Sequence, residues 1–349
     1  MSELADPRAS DEQADGGERV FAGIDEAGLG PLLGPLAIGF SAFRTPRTCG
    51  HLWEELQSVV SADPAQDRTH IIVADSKRVH TRNPRGRRRL ETTALAFLAQ
   101  NGATGQPPAN GRAILESAPV ACRPAAALLE RHPWYAELDQ PLPRHQEAGS
   151  VELTAARLTR AMAAARVEQL AAGVRLVPAG ELNASYAETG NKGRTLWNMT
   201  AGVLRQLWQA HGSEGLHAIL DRQGGRSHYG GLIARTFPGC RVQTIAEGGP
   251  YCEYRVYERA GQESMPLRRM RLCFAERGEE RSFAVALASC LAKYGRELSL
   301  AAFNAYFAAR QPDLKPTAGY TTDGRRWLAD AAETLRSAQL ADGVLIRTR

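Results

Sequence analysis

Gly23-Ile-Asp-Glu-Ala-Gly-Leu-Gly-Pro-Leu-Leu-Gly-Pro35 decides how this chain folds. It continues Val20-Phe-Ala22, a short apolar run of the kind that forms a buried strand. Gly28, Gly30, Pro31, Gly34 and Pro35 then break the run, and residues 36–43 (LAIGFSAF) restart as a second strand. Two adjacent carboxylates, Asp25 and Glu26, stand at the end of the first strand. Neighbours on a regular strand face opposite sides, so these two converge only where the strand breaks, and the glycines and prolines supply the break. For an isolated Asp-Glu pair the ordinary reading is a strand-end turn with solvated acids. A dinucleotide-binding glycine loop is excluded. The third glycine stands one position late for G-x-G-x-x-G, and Pro31 and Pro35 remove amide donors that a pyrophosphate needs.

Outward from this stretch, strands and helices are mixed along the chain. Residues 51–60 read as a short helix, 70–77 (HIIVADSK) as an extended segment ending in a loop, 91–100 as a helix and 113–117 (AILES) as a strand. Seven of the 19 prolines fall between Pro107 and Pro143, which marks about 101–150 as a loose insertion or subdomain. Residues 151–173 form an amphipathic helix closed by Gly173, followed by a strand at 174–179. A helix over 194–212 leads into Leu216-His-Ala-Ile-Leu-Asp221, a strand ending on an acid. Three more strands lie at 241–248, 251–260 and 268–278, the last two as a hairpin. Two helices at 283–298 and 300–310, a third at 323–338 and a possible strand at 344–349 complete the chain. Strands mixed with long helices give an α/β layered fold.

At 349 residues the chain suits two domains, or one large domain with insertions. With 43% hydrophobic and 23% charged residues, wholesale disorder and fibrous repeats are excluded. No apolar run reaches the about 18 residues of a spanning helix, and the acidic, polar N-terminus argues against signal and transit peptides. The first 19 residues hold six acids and two arginines, so the rest is more basic than the net +5 of the whole chain. A basic body suggests a polyanionic partner. Cys49, Cys122, Cys240, Cys252, Cys273 and Cys290 form no C-x-x-C pair and read as reduced, packed thiols of a cytosolic protein.

The 23–35 stretch resembles the opening motif of the type 2 ribonucleases H (bacterial ribonucleases HII and HIII), usually GIDEAGRGPxxGP; here Leu29 replaces the arginine. Other marks follow in the family's order. Asp75-Ser76-Lys77 is similar to the family's DSK, Ile219-Leu220-Asp221 to the strand ending on its third catalytic Asp, and Ala288-Ser-Cys-Leu-Ala-Lys293 to its ASxxAK helix. Gly319-Tyr-Thr-Thr322 resembles its late GYGT segment, with Thr321 in place of the second glycine. The family's fourth acid stands ten residues before the serine of ASxxAK. Counting back ten from Ser289 reaches Glu279, with Glu276 and Glu280 as rivals.

The resemblance implies a ribonuclease H-like mixed sheet flanked by helices, with a helical C-terminal extension. It divides the chain into a disordered acidic tail over 1–18, a catalytic domain over 19–298 with insertions at about 101–150 and 222–275, and the extension over 299–349. Asp25, Glu26, Asp221 and Glu279 are then catalytic residues and ligands of two Mg²⁺ or Mn²⁺ ions. Hard divalent cations take oxygen donors, and two of them activate a water and stabilise a leaving oxygen. Gly28, Leu29, Gly30, Ser76, Lys77, Ser289, Lys293 and Tyr320 are implied substrate contacts. The activity implied is cleavage of the RNA strand of RNA–DNA hybrids, or of RNA-containing duplex DNA, by a cytoplasmic monomer without membrane contact. A non-catalytic hybrid-binding protein and a nuclease acting on other nucleic-acid structures remain open alternatives.

Other features have two readings each. Lys77, Arg78, Arg82, Arg85, Arg87, Arg88 and Arg89 are a solvated charge run or a phosphate-contacting surface. His228 and Tyr229, in the loop after Asp221, are solvated or approach the substrate. Trp197, Trp208 and Trp327 lie on amphipathic helices and read as core. Residues 268–271 (RRMR) read as an exposed strand face.

Overall fold

The computed structural model describes residues 17–102, 104–259 and 267–348. Of the stretch read as a disordered tail, all but Gly17 and Glu18 lies outside those residues, as do 260–266 within the second expected insertion.

β1 (Glu18–Ala27) and β2 (Leu36–Pro46) form an antiparallel pair around the glycine-rich turn. Two residue pairs, β3 (Val60–Ser61) and β4 (Ile71–Ile72), make a separate small parallel ladder. β5 (Glu168–Val177), β6 (Leu216–Asp221), β7 (Arg241–Ala246), β8 (Tyr251–Tyr257) and β9 (Arg269–Ala275) join the first pair in one sheet of order β5-β2-β1-β6-β9-β8-β7. β1, β6 and β9 are parallel, and the remaining neighbours are antiparallel. Helices cover both faces of this mixed sheet, as the resemblance implies. Val20, Ala22 and Ile24 pack with the helix Lys192–His211 on one side. On the other lies the 26-residue helix Phe283–Ala308. It approaches so closely that a Cβ on Gly23 would lie 2.1 Å from the backbone carbon of Ala284, and one on Gly39 2.0 Å from the carbonyl of Ala288. Only glycine fits at these crossings.

Several local expectations differ from what the chain does. Residues 113–117 are helical, within Gly111–Ser117, because Asn110 caps the first turn by accepting from the Ala113 amide. The proline-rich segment is not loose: Pro133 starts a 3₁₀ turn through Asp139, and Trp134 packs edge-on against Phe303 of the long helix. Proline at the start of a helical turn loses no hydrogen bond, so density of prolines misleads here. The helix expected over 151–173 ends at Ala164; Arg166 takes a positive φ of 53° and the chain turns back as β5. Pairing with β2 overrides the helical preference of that alanine-rich stretch.

The two helices expected between 283 and 310 are one, and it runs through Gly295 unbroken. Over 51–60 only Leu52–Glu55 is helical. After β4, Ser76–Val79 form one helical turn capped by Asp75 rather than a loop. The C-terminal strand reduces to a single antiparallel bridge between Leu33 and Ile346.

β8 and β9 pair antiparallel as expected, and Trp197, Trp208 and Trp327 are all buried. All six cysteines are free thiols. Among the described residues no helix is long and apolar enough to cross a membrane.

Candidate active site

β1 and β6 are parallel neighbours with Ile24 opposite Leu220, so the acids that follow, Asp25 and Asp221, come out side by side at the same end of the sheet. The strand breaks after Ala27, at the expected glycines and prolines, but both acids still lie within β1, so Asp25 and Glu26 alternate across the strand as part of the ladder to β2 instead of meeting in the turn. Asp25 lies on the face covered by the long helix, where the Ser289 hydroxyl bonds to it, and its Oδ1 also accepts from the Glu26 amide at 2.7 Å. Asp221 Oδ1 accepts from the Gly278 amide at 3.0 Å. That bond draws the short helix Gly278–Arg281 against the end of β6 and carries Glu279 to Asp221.

Burial opposes ionisation at all four carboxyls, and neighbouring acids add to it at Asp25, Glu26 and Glu279, while a hydrogen bond from Glu279 favours the ionised form of Asp221. Burial, then Glu26 and Asp221, hold the Asp25 carboxyl well above the usual carboxylate range. Burial and Asp221 push Glu26 up to about 7. Burial raises Asp221 against the bonds it accepts from the Gly278 and Arg222 amides. Glu279 is raised by burial and by Asp221 and Asp75, and lowered by Lys77. Lys77 is thus the one cation that acts on both Asp221 and Glu279.

The rivals of Glu279 look elsewhere. Glu276 is ion-paired with Arg222, and Glu280 lies 3.8 Å from Arg277; both are half exposed. Glu279 Oε2, by contrast, is buried with no hydrogen-bond partner.

As the side chains stand, no three acids, histidines or cysteines among the described residues surround one point closely enough to hold a metal. The donor set nevertheless fits a hard divalent cation. It is all oxygen, it is charge-repelled when empty, and it includes an orphaned buried carboxylate oxygen.

The implied substrate contacts come from four segments, the glycine loop, the 75–77 turn, the long helix and Tyr320, and among the described residues their side chains are not committed to an ion pair with one exception. Gly28 has φ +87°, and a Cβ there would lie 2.5 Å from Arg296 Nε, so both its backbone and its packing demand glycine. Leu29 packs half-buried against the sheet core and Gly30 is exposed. The hydroxyls of Ser76 and Ser289 are 2.9 Å apart, linking the 75–77 turn to the long helix beside Asp25. Tyr320 is 48% exposed, and the preceding Gly319 carbonyl accepts from the amides of Leu32 and Leu33, which seats the tyrosine next to the glycine loop. Lys293 is the exception: its amine is held by Glu297 at 2.7 Å.

Of the basic run, Arg85 is bound to Asp67, and Arg89 is buried, donating to the carbonyls of Val79 and Arg78. Arg82, Arg87 and Arg88 are exposed. His228 is exposed, but Tyr229 does not face a substrate. It is fully buried, stacked on Phe274 at 3.6 Å, with its hydroxyl accepting from the Gln223 amide. In the 268–271 segment, Arg269 is exposed while Arg268 and Arg271 are ion-paired with Glu258 and Glu253.

Sequence reasoning missed two buried arginines beneath the glycine loop, Arg296 and Arg347. It also gave no weight to the carboxylate of Asp75 near Glu279. Asp75 could have been found, since it opens the DSK motif. Nothing in spacing links Arg347 to residues more than 300 positions earlier.

No family model and no curated protein sequence matches the chain. Three solved structures resemble it over most of its length. An RNase HII from Archaeoglobus fulgidus, solved in complex with PCNA, has 13% identity and a TM-score of 0.38, with 95% of this chain and 94% of that one covered. The ribonuclease H2 of Pyrococcus horikoshii OT3 has 12% identity and a TM-score of 0.36, with 93% and 92% covered. The RNase H3 of Aquifex aeolicus has 13% identity and a TM-score of 0.35, with 94% of this chain and 71% of that one covered.

Proposed function

We propose that this chain is a metal-dependent endoribonuclease that cleaves the RNA strand of RNA–DNA hybrids or of RNA-containing duplex DNA. The observation that carries the reading is that Asp25, Glu26, Asp221 and Glu279, from three separate segments, act on one another in series through Asp221, with burial opposing ionisation at each. A structural role leaves such a cluster unexplained, because crowded acids destabilise the protein that holds them. Two Mg²⁺ or Mn²⁺ ions bound by these four residues would supply an activated water and charge stabilisation for the leaving oxygen. In the reading, Lys77 offsets part of the acid charge, Ser289 orients Asp25 through its hydroxyl, and the Gly28–Gly30 backbone meets the sugar edge of the RNA strand. Recognition then rests on 2′-hydroxyls and duplex shape rather than base sequence. Arg82, Arg87 and Arg88 are exposed members of the basic run that can reach phosphates. The catalytic unit takes in residues 19–298, with 299–349 as an extension, and the protein works as a cytoplasmic monomer.

The test is a cleavage assay on a labelled RNA–DNA hybrid beside duplex DNA and duplex RNA, with Mg²⁺, Mn²⁺ or chelator. Cutting of the RNA strand of the hybrid alone, abolished by chelator, is the expected result. Binding without cleavage in any metal would leave a hybrid-binding protein and overturn the enzyme reading. Preferential cutting of duplex DNA would overturn the substrate.

A further inference from the structure

The glycine loop after Glu26 is held from beneath by the far end of the chain. Arg347 is only 3% exposed. Its Nε donates to the Gly34 carbonyl at 2.7 Å, and its Nη1 donates to the carbonyls of Gly28 and, at 3.4 Å, Pro31. Its backbone amide donates to Leu32 at 3.0 Å, one residue after the bridge between Leu33 and Ile346. Three carbonyls of a seven-residue loop therefore converge on one guanidinium.

Among the described residues no carboxylate pairs with Arg347. Arg296, also 3% exposed, lies close enough for its charge to oppose that of Arg347. A buried charge set against a like charge and neutralised by nothing but carbonyl dipoles is costly unless the geometry it enforces is needed.

That geometry has a direction. In a trans peptide the C=O and the following N–H point opposite ways. Fixing the Gly28 carbonyl inward on Arg347 turns the Leu29 amide outward, and among the described residues that amide has no protein acceptor. The side chain of Leu29 is meanwhile folded against the core and offers no donor. Whatever the loop presents at this position, it presents through its backbone.

We propose that Arg347 is a positioning residue for substrate: by gripping the carbonyls of Gly28, Pro31 and Gly34 it aims the Leu29 amide at the sugar–phosphate backbone of the strand being cut. This rests on the nuclease reading above. Arginine is required because its planar fork carries donors in several fixed directions, whereas a lysine amine is a single compact point.

The test pairs Arg347→Lys and Arg347→Ala with Asn183→Ala in the full-length protein. Asn183 fastens the same tail from outside, through the carbonyls of Gly343 and Ile346 and the amide of Thr348, without touching the loop. Three readouts are taken: kcat and KM on a hybrid with Mg²⁺, Kd for that hybrid in chelator, and hydrogen exchange of the 28–34 segment. Arg347→Lys and Arg347→Ala are expected to raise KM and Kd about tenfold or more, the range of one or two lost hydrogen bonds, with kcat within about threefold. Exchange over 28–34 should speed up selectively, and Asn183→Ala should show the same pattern more weakly.

KM and Kd within twofold of the parent, or a uniform rise in exchange across the molecule, would overturn the proposal and leave Arg347 as a stabilising residue. If Arg347→Ala does not fold, Arg347→Lys and Asn183→Ala decide by the same criteria. If the parent protein cuts no hybrid, the nuclease reading fails by itself, while Kd and loop exchange still judge Arg347.

Discussion

Two charge clusters are attached to the glycine loop, half-buried acids on the strand that leads into it and buried arginines beneath it, and they are handled in different ways. On one side four carboxyls crowd together; on the other Arg296 and Arg347 sit side by side. Among the described residues, Arg347 spends Nε and Nη1 on three loop carbonyls and leaves Nη2 without a partner; Arg296 donates to the carbonyl of Ala318 and to Glu297, lies over the ring of Tyr320 at 5.5 Å, and leaves Nε without one. The acids have no comparable set of donors: Asp25 and Asp221 accept a few amides and a hydroxyl, and Glu279 Oε2 accepts nothing. Buried charge that the fold itself satisfies shapes the backbone. Carboxyls raised by like charge, with few donors of their own, mark the place a cation fits.

The comparison breaks most visibly if the acids prove dispensable. Asp25→Asn and Asp221→Asn should each reduce cleavage by more than the roughly 100-fold that outer partners of a metal site cost, while hybrid binding in chelator is retained. The same variants should melt higher than the parent in metal-free buffer, because each removes a repelled charge. Near-normal turnover in either would dismantle the metal-site assignment.

Next in size is the contrast among neighbouring glutamates. Glu279→Gln should lower Mg²⁺-dependent activity by about 10–100-fold, and Glu276→Gln and Glu280→Gln by less than about threefold. Equal effects at all three would put the fourth ligand elsewhere.

Leu29 sharpens the comparison at the loop itself. Without the family's arginine the chain lacks a charge-assisted bond worth about 1.5–3 kcal/mol, roughly ten- to a hundredfold in binding. A single embedded ribonucleotide, which offers few 2′-hydroxyls, should be cut poorly next to a long RNA run, and Leu29→Arg should narrow the gap in kcat/KM. Equal efficiency of the parent on both substrates would refute this.

A smaller effect tests the outer surface. Replacing Arg82, Arg87 and Arg88 together should flatten the slope of log K against log salt by up to about three units. Replacing Arg85 and Arg89 should change stability instead, since Asp67 and backbone carbonyls hold them.

The smallest effect is a pH trend. Glu26 has its carboxyl raised from 4.5 to about 7, so the folded state retains a proton that the unfolded chain releases. The stability this contributes is fully present below about pH 4.5 and is lost as pH climbs through about 7. Metal-free protein should lose a few degrees of Tm across that window, and Glu26→Gln should flatten the trend.

How far the sequence could lead depended on distance along the chain. Asp25 and Glu26 were legible because the glycines and prolines that shape their turn are contiguous with them. Glu279 was reached only through the resemblance, by counting ten back from Ser289, and it lies on a separate short helix beside Asp221. β5 was not, since its alanines favour helix and only pairing with β2 makes them a strand. Arg296 and Arg347 were invisible because carbonyls, which every residue has, leave no trace in a sequence when they act as the partners.

The tight crossing at Gly23 gives the site a built-in tolerance limit. A methyl group there would act as a wedge between the sheet and the helix, two residues below Asp25 and, at Ala284, five positions before Ser289 on the opposing side. With backbone only 2.1 Å from such a methyl group, sheet and helix would have to part by about an ångström or more, and the opening is levered directly into the gap between that carboxylate and that hydroxyl. The glycine thus acts as a hinge pin for the site: the spacing of the acid cluster from its helix is set by the absence of a single methyl group.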